Sequence, residues 1–187
     1  PGLYKWIKAL LKDCIKCQTC KSQKKIYNTA SLRPFSELTP HFNFRISIDT
    51  KGPINPPSNG KSYIISIVDA FSHYYIPTAV IKHDGETIVK VLYEKWIILF
   101  GPPKIIVCDN GTEFMNENFA NFCTTYGIQV SQRTIHAPWT NGFVEVKHRE
   151  VGAALRNAVT DNATKTWSQH LHHFQLAINT QNVTKFN

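Results

Sequence analysis

The stretch FNFRISID, residues 42–49, alternates Phe42, Phe44, Ile46 and Ile48 with Asn43, Arg45, Ser47 and Asp49. A period of two is the mark of an extended strand, because successive side chains leave opposite faces of a sheet. Two more β-forming runs follow closely: SYIISIVDAF after the turn INPPSNGK, then HYYIPTAVI. Short turns between three such runs predict an antiparallel meander. Pro77 has no N–H to give to a ladder, so it predicts a bulge or an edge position for the third strand. A sheet begun in this way must be covered by whatever comes next.

The next hundred residues supply that cover. Residues 86–100, ETIVKVLYEKWIILF, have helical length and spacing and run into GPP, which stops them. KIIVCD is a short strand of buried type. Residues 114–126 read as a second helix, with Phe119, Phe122 and Cys123 on one face and Gly127 at its end. IQVSQRT is a fifth strand, HAPWTNG a loop, FVEVKHREVGAALRNAV a long helix and TWSQHLHHFQLAINTQ another. The order β-β-β-α-β-α-β-α-α predicts an α/β fold, a five-stranded mixed sheet flanked by helices. The 187 residues are enough for one such domain and a short appendage. Ahead of it, Leu3, Trp6, Ile7, Leu10 and Leu11 are spaced as on an amphipathic helix, and the polar stretch KSQKKIYNTASLRP reads as a linker.

Three carboxylates stand where these elements stop. Asp49 is placed at the end of the first strand, Asp109 ends the fourth, and Glu145 falls in the first turns of the long helix, with 35 residues between the last two. A lone carboxylate is expensive to bury, so a hydrophobic strand that runs into one holds it at a rim. There it is either a turn cap or surface ion-pair partner, or one arm of a metal site. Hard divalent cations such as Mg²⁺ and Mn²⁺ take oxygen ligands of this kind. Two ions about 3.5–4 Å apart activate an attacking oxygen and stabilise a leaving one. Asp69, in SIVDAFS, reads instead as a turn cap, and Glu113 as a helix cap or the partner of a lysine.

The frame ISIDTKGP, then VCDNGTEF, then HAPWTNGFVEVKHR resembles the catalytic core of retroelement integrases, either of the gypsy-type long-terminal-repeat retrotransposons or retrovirus-like. The resemblance implies an RNase H-like fold over residues 41–187. It also implies a nucleotidyl transferase that performs divalent-metal-dependent 3′-end processing and strand transfer of element DNA into target DNA. Asp49, Asp109 and Glu145 then map onto a triad that binds two Mg²⁺ or Mn²⁺ ions. The implied partners are double-stranded DNA and further copies of the chain, and the implied compartment is the nucleus. Cys108, Phe143 and Val146 depart from the common pattern and bear on efficiency.

Cys14 and Cys17, followed by Gln18 and Lys21, resemble the second half of the family's His-His-Cys-Cys zinc domain, here residues 1–22. Residues 23–40 would then be the linker. No histidine precedes His41, so zinc is expected only if the upstream histidines are present. The odd set of five cysteines does not read as a disulfide framework. The lysine-interrupted start is not a signal peptide, and no apolar run approaches the roughly 18–20 residues of a membrane span. No membrane partner is therefore expected.

A net charge of +8 and a pI near 9.3 favour a polyanionic partner. His136 and Asn141 lie in the loop before Glu145. On the helix that follows, His148, Arg149 and Arg156 share the face of Glu145 at steps of three or four residues. All five are candidate DNA contacts. His170, His172 and His173 read as helix-surface histidines rather than a metal cluster. Two other functions share the same features: a non-catalytic DNA- or protein-binding module that keeps the fold, and an RNase H-like nuclease that cuts without joining.

Overall fold

The computed structural model describes residues 39–132 and 167–180. The zinc-domain and linker assignments, the loop of His136 and Asn141, and the helix of Glu145, His148, Arg149 and Arg156 lie outside the described residues.

The alternation becomes β1 (Arg45–Lys51), followed by β2 (Tyr63–Asp69) and β3 (Tyr75–Val80). With β4 (Ile105–Cys108) and β5 (Gln129–Gln132) they form one five-stranded sheet in the order β3-β2-β1-β4-β5. β1 is antiparallel to β2 and parallel to β4; β2 and β3 are antiparallel and β4 and β5 parallel. The mixed sheet expected from the sequence is present, and Pro77 lies on the edge strand β3.

The boundaries differ from the sequence reading at three places, each for a local reason. β1 begins at Arg45, not Phe42, because Asn43 adopts a left-handed φ of 64° that bends the chain before the strand. β1 also runs past Asp49 to Lys51, so Asp49 is not the strand's last residue. The second predicted helix starts late, since the Asn116 side chain caps it by accepting the Phe119 N–H at 3.0 Å. Residues 114–116 form the turn before it, and Phe122 is only partly buried.

The long predicted helix is α1 (Gly85–Leu92), a π-helical turn (Tyr93–Ile97) and α2 (Ile98–Phe100) in unbroken succession. Asp84 caps it by accepting from the N–H and hydroxyl of Thr87 at 3.0 and 2.6 Å, and those two bonds hold its carboxyl below the ordinary range. The helix stops where Gly101 turns to φ 78°. α3 (Glu117–Thr125) follows β4, and α4 (Leu171–Asn179) follows a 3₁₀ turn (Trp167–His170). Among the described residues no helix is long and apolar enough to cross a membrane.

Strand alternation divides the apolar residues between the two faces of the sheet. Ile46 and Ile48 of β1 and Ile65 and Ile67 of β2 pack under α1 and α3 with Ile88, Leu92, Trp96, Phe119 and Cys123. Burial pushes the Cys123 thiol up to about 11. On the other face Ile64, Val68 and Tyr75 meet Trp167, Leu171 and Ile178. α4 is tied down there by Asn179, whose amide accepts the Tyr75 N–H at 2.9 Å and donates to its carbonyl at 3.0 Å. The central strands are thus covered on both faces by apolar side chains, with Ser47 and Ser66 buried polar residues among them, while β5 is exposed along its length.

Candidate active site

The parallel ladder between β1 and β4 ends on the pair Ser47 and Val107. Asp49 and Asp109 each lie two residues beyond it, so the register carries them to the same level. Side chains two apart share a face, and Ile46 and Ile48 occupy the face under α1. Asp49 and Asp109 therefore both belong to the opposite face, on adjacent strands about 4.8 Å apart. Both are partly buried. The Asp49 carboxylate accepts the Thr50 N–H at 2.9 Å and that of Asp109 accepts the Gly111 N–H at 3.1 Å. These bonds hold the Asp49 carboxylate from the next residue of its own strand and the Asp109 carboxylate from the turn after β4.

Two like charges held this close repel, and a hard cation between them reverses the sign of the interaction. All-oxygen donors at a half-exposed rim fit Mg²⁺ or Mn²⁺ better than a softer ion. Among the described residues no three potential metal ligands come together. The third expected donor, Glu145, lies outside them, as do Cys14 and Cys17.

Behind Asp49 the structure adds two residues that the sequence did not single out. Ser66 is the direct β2 partner of Asp49. Its hydroxyl lies 3.0 Å from the Tyr75 hydroxyl, and both residues are buried. Burial holds the Tyr75 hydroxyl protonated well above the ordinary tyrosine range; the Ser66 hydrogen bond acts the other way, and the negative charge of Asp49 raises it further. A serine inside the apolar run YIISIVD was the only signal in the sequence, and its meaning depends on a register that the sequence did not supply.

That arrangement carries a pH signature. In an unfolded chain a tyrosine ionises near about 10. Folded Tyr75 keeps its proton above that value, so its contribution to stability is complete below it and declines as the pH rises. Denaturation midpoints followed from about pH 8 to about pH 11 should fall more steeply for the wild type than for Tyr75→Phe, which has no phenol to ionise. Equal slopes would show that Tyr75 does not titrate against the fold.

Asp69 stands apart from this rim. It pairs with Ile46 near the start of β1, three residues from the Asp49 level, and shares the Ile65 and Ile67 face. Fully buried, it accepts hydrogen bonds from the N–H groups of Asn43, Phe71 and Ser72 and from the Ser72 hydroxyl. That is the turn cap expected of it. Glu113 follows the Asp109 turn and lines an open cleft beside α1. His172 and His173 are exposed on α4, as expected of surface histidines, and His170 precedes them on the 3₁₀ turn.

The described residues hold seven Lys and Arg against eight Asp and Glu, whereas the whole chain has 21 against 13. The positive excess thus belongs to segments flanking the sheet, and the sheet itself brings the acids.

Known proteins resemble this chain in sequence and in fold. The chain is 30% identical over 179 residues to the Pro-Pol polyprotein of simian foamy virus type 3, covering 96% of this chain and 15% of the polyprotein. It is 28% identical over 179 residues to the retrovirus-related Pol polyprotein from transposon 412 of Drosophila melanogaster, again covering 96% of this chain and 14% of that protein. The chain therefore spans about a seventh of the curated relatives it matches. Among solved structures it shares the fold of a chain in the simian T-cell lymphotropic virus intasome in complex with PP2A regulatory subunit B56 gamma. The TM-score is 0.67 at 20% identity, over 97% of this chain and 63% of that one. It also shares the fold of the HTLV-2 integrase catalytic core domain in complex with magnesium, with TM-score 0.60 at 21% identity, over 76% of this chain and 89% of that one. These two structural likenesses show the fold, the five-stranded mixed sheet flanked by helices that the sequence predicts. The integrase core domain family matches residues 40–138, a stretch that begins before β1 and runs past β5. With more than half of its residues inside that match, the chain belongs to the integrase core domain family.

Proposed function

We propose that this chain is the catalytic core of a retroelement integrase that performs divalent-metal-dependent 3′-end processing and strand transfer into target DNA. The observation that carries the reading is the level placement of Asp49 and Asp109 on one face, two residues past the last β1–β4 pair. Asp49 and Asp109, with Glu145 as third donor, would hold Mg²⁺ or Mn²⁺, in keeping with the magnesium named for the HTLV-2 core. Ions bound there supply charge that activates the attacking oxygen and offsets the one building on the leaving oxygen. The carboxylates' own task is to fix that charge, Asp49 from within β1 and Asp109 from the residue after β4. The Thr50 and Gly111 N–H groups keep each carboxylate aimed.

Water and then a DNA 3′-hydroxyl attacks a phosphodiester in line, with no covalent bond to the protein. His136, Asn141, His148, Arg149 and Arg156 are the proposed DNA contacts. The basic flanking segments supply attraction to the phosphates that the acidic rim cannot. The active unit is proposed to be a homo-oligomer on double-stranded DNA in the nucleus. Residues 1–22 would complete a zinc domain through Cys14 and Cys17 where two histidines precede them.

Strand rejoining on a branched, labelled DNA tests the reaction class, with the wild type run beside Glu145→Gln in Mg²⁺ or Mn²⁺. Metal-dependent rejoining that Glu145→Gln loses is the expected result. Cutting without joining would move the assignment to an RNase H-like nuclease. DNA binding with neither reaction would move it to a non-catalytic module.

A further inference from the structure

At the same end of β1 as the acid pair, but on the opposite face of the sheet, an open cleft of about 850 Å³ lies between β2, α1 and the turn before α3. Tyr63 starts β2, three residues before the Ser66 that pairs with Asp49, and packs toward the Ile46 and Ile48 face. That separation is about 10 Å along the strand. The Tyr63 ring presses on Gly52 so closely that a Cβ there would collide with it. It also stacks on His83, with ring centroids 4.2 Å apart and planes inclined by 34°. The two rings make a fixed aromatic wall in the cleft.

Facing them are acids and amides, two of which already have tasks. Asp84 caps α1 and Asn116 caps α3. The carboxylates of Glu86 and Glu113 have no hydrogen-bond partner among the described residues, and both line the cleft. A phosphate would be repelled by them. A neutral planar ring with amino donors on its edge satisfies both walls at once, because a base stacks on an aromatic face and its exocyclic amine donates to a carboxylate.

We propose that this cleft seats one unpaired nucleobase of the DNA, stacked on the Tyr63–His83 pair with its amino edge toward Glu86 or Glu113. The proposal rests on the integrase reading and extends it: the base belongs to a nucleotide near the reacting phosphodiester, outside the metal site. Adenine, guanine and cytosine offer the carboxylates an exocyclic amine, whereas thymine offers only its N3–H between two carbonyl oxygens that a carboxylate repels, a poorer match.

The test uses the whole chain in EDTA, so that no phosphodiester reacts. Its probe is a branched DNA with 2-aminopurine placed in turn at each unpaired position beside the branch. Quenching at one position is expected, lost in His83→Ala with an affinity about tenfold lower, and restored in His83→Phe. Thymine at that position should bind about tenfold more weakly than cytosine to the wild type, and equally well to a Glu86→Gln, Glu113→Gln double variant. Equal quenching in the wild type and His83→Ala would overturn the proposal. So would DNA binding, seen by anisotropy, without quenching at any position. If anisotropy showed no DNA binding at all, the integrase reading would fall first and this proposal with it.

Discussion

Asp109→Asn should lower rejoining on the order of a thousandfold, as loss of a charge-stabilising group at a reaction centre does, while leaving the fold intact. The reason lies in the register. Asp109 follows directly on β4, and among the described residues its side chain closes only a local turn by accepting the Gly111 N–H. An Asn side chain keeps an oxygen for that bond, so the turn survives. What disappears is half of the negative charge that Asp49 and Asp109 place at one level from neighbouring strands.

The same substitution makes a second, opposite prediction for stability. In metal-free buffer it removes a like-charge repulsion of about 1 kcal/mol, so the variant should melt at or slightly above the wild type. Adding millimolar Mn²⁺ should then raise the melting temperature of the wild type, because an ion that binds only the folded state stabilises it by mass action. The variant should show little or no rise. Thermal melts with and without Mn²⁺ measure both effects at once. A variant destabilised without metal, or raised by Mn²⁺ as much as the wild type, would mean that Asp109 is a structural cap and not a ligand.

The largest stability effect is expected at an acid outside the site. Asp69→Ala should cost about 3 kcal/mol and lower the melting temperature by about 10 °C. Asp69 is fully buried, and its two oxygens take the N–H groups of Asn43, Phe71 and Ser72 and the Ser72 hydroxyl at 2.6–3.2 Å. Alanine leaves these donors without their acceptor. The damage spreads because Asn43 is itself a junction. Its Oδ1 accepts the indole N–H of fully buried Trp96 at 2.8 Å, and its amide donates to the Phe100 carbonyl at 2.8 Å. Loosening Asn43 therefore loosens the far end of the α1–α2 rod, while the level of Asp49 and Asp109 is set by a different ladder. Rejoining activity at low temperature should survive in Asp69→Ala, in contrast to Asp109→Asn. Chemical denaturation beside the rejoining assay separates the two. A loss of activity at full stability would place Asp69 in the site after all.

Much of the fold was legible in the sequence. Period-two alternation at residues 42–49 and the β-branched runs after it identified the meander, and GPP and Gly127 marked where helices end. Elements fixed by short-range chemistry of this kind came out in the right order. The errors were local. Asn43 delays the start of β1 by taking a left-handed conformation, and Asn116 delays α3 by capping it. Both depend on side chains that compete with the regular backbone, which periodicity does not register. The triad's role and the zinc half-site are implied by the resemblance to retroelement integrases, and the DNA-contact residues by their places in the loop and on one helix face; of these the described residues include Asp49 and Asp109.

By itself the sequence determined which acids end near a strand terminus, because a carboxylate cannot be buried cheaply within an apolar run. It could not determine which of those acids meet. Asp49, Asp69 and Asp109 all follow isoleucine- and valine-rich strands and look alike on paper. Tertiary structure separated them: the parallel β1–β4 register brings Asp49 level with Asp109, and the antiparallel β1–β2 register carries Asp69 to the other end and the other face. The same registers set Ser66 and Tyr75 behind Asp49 and the Tyr63–His83 pair across the sheet from it. Register depends on turn geometry and on how two covered faces fill. A shift of one residue would have turned every one of these side chains to the opposite face.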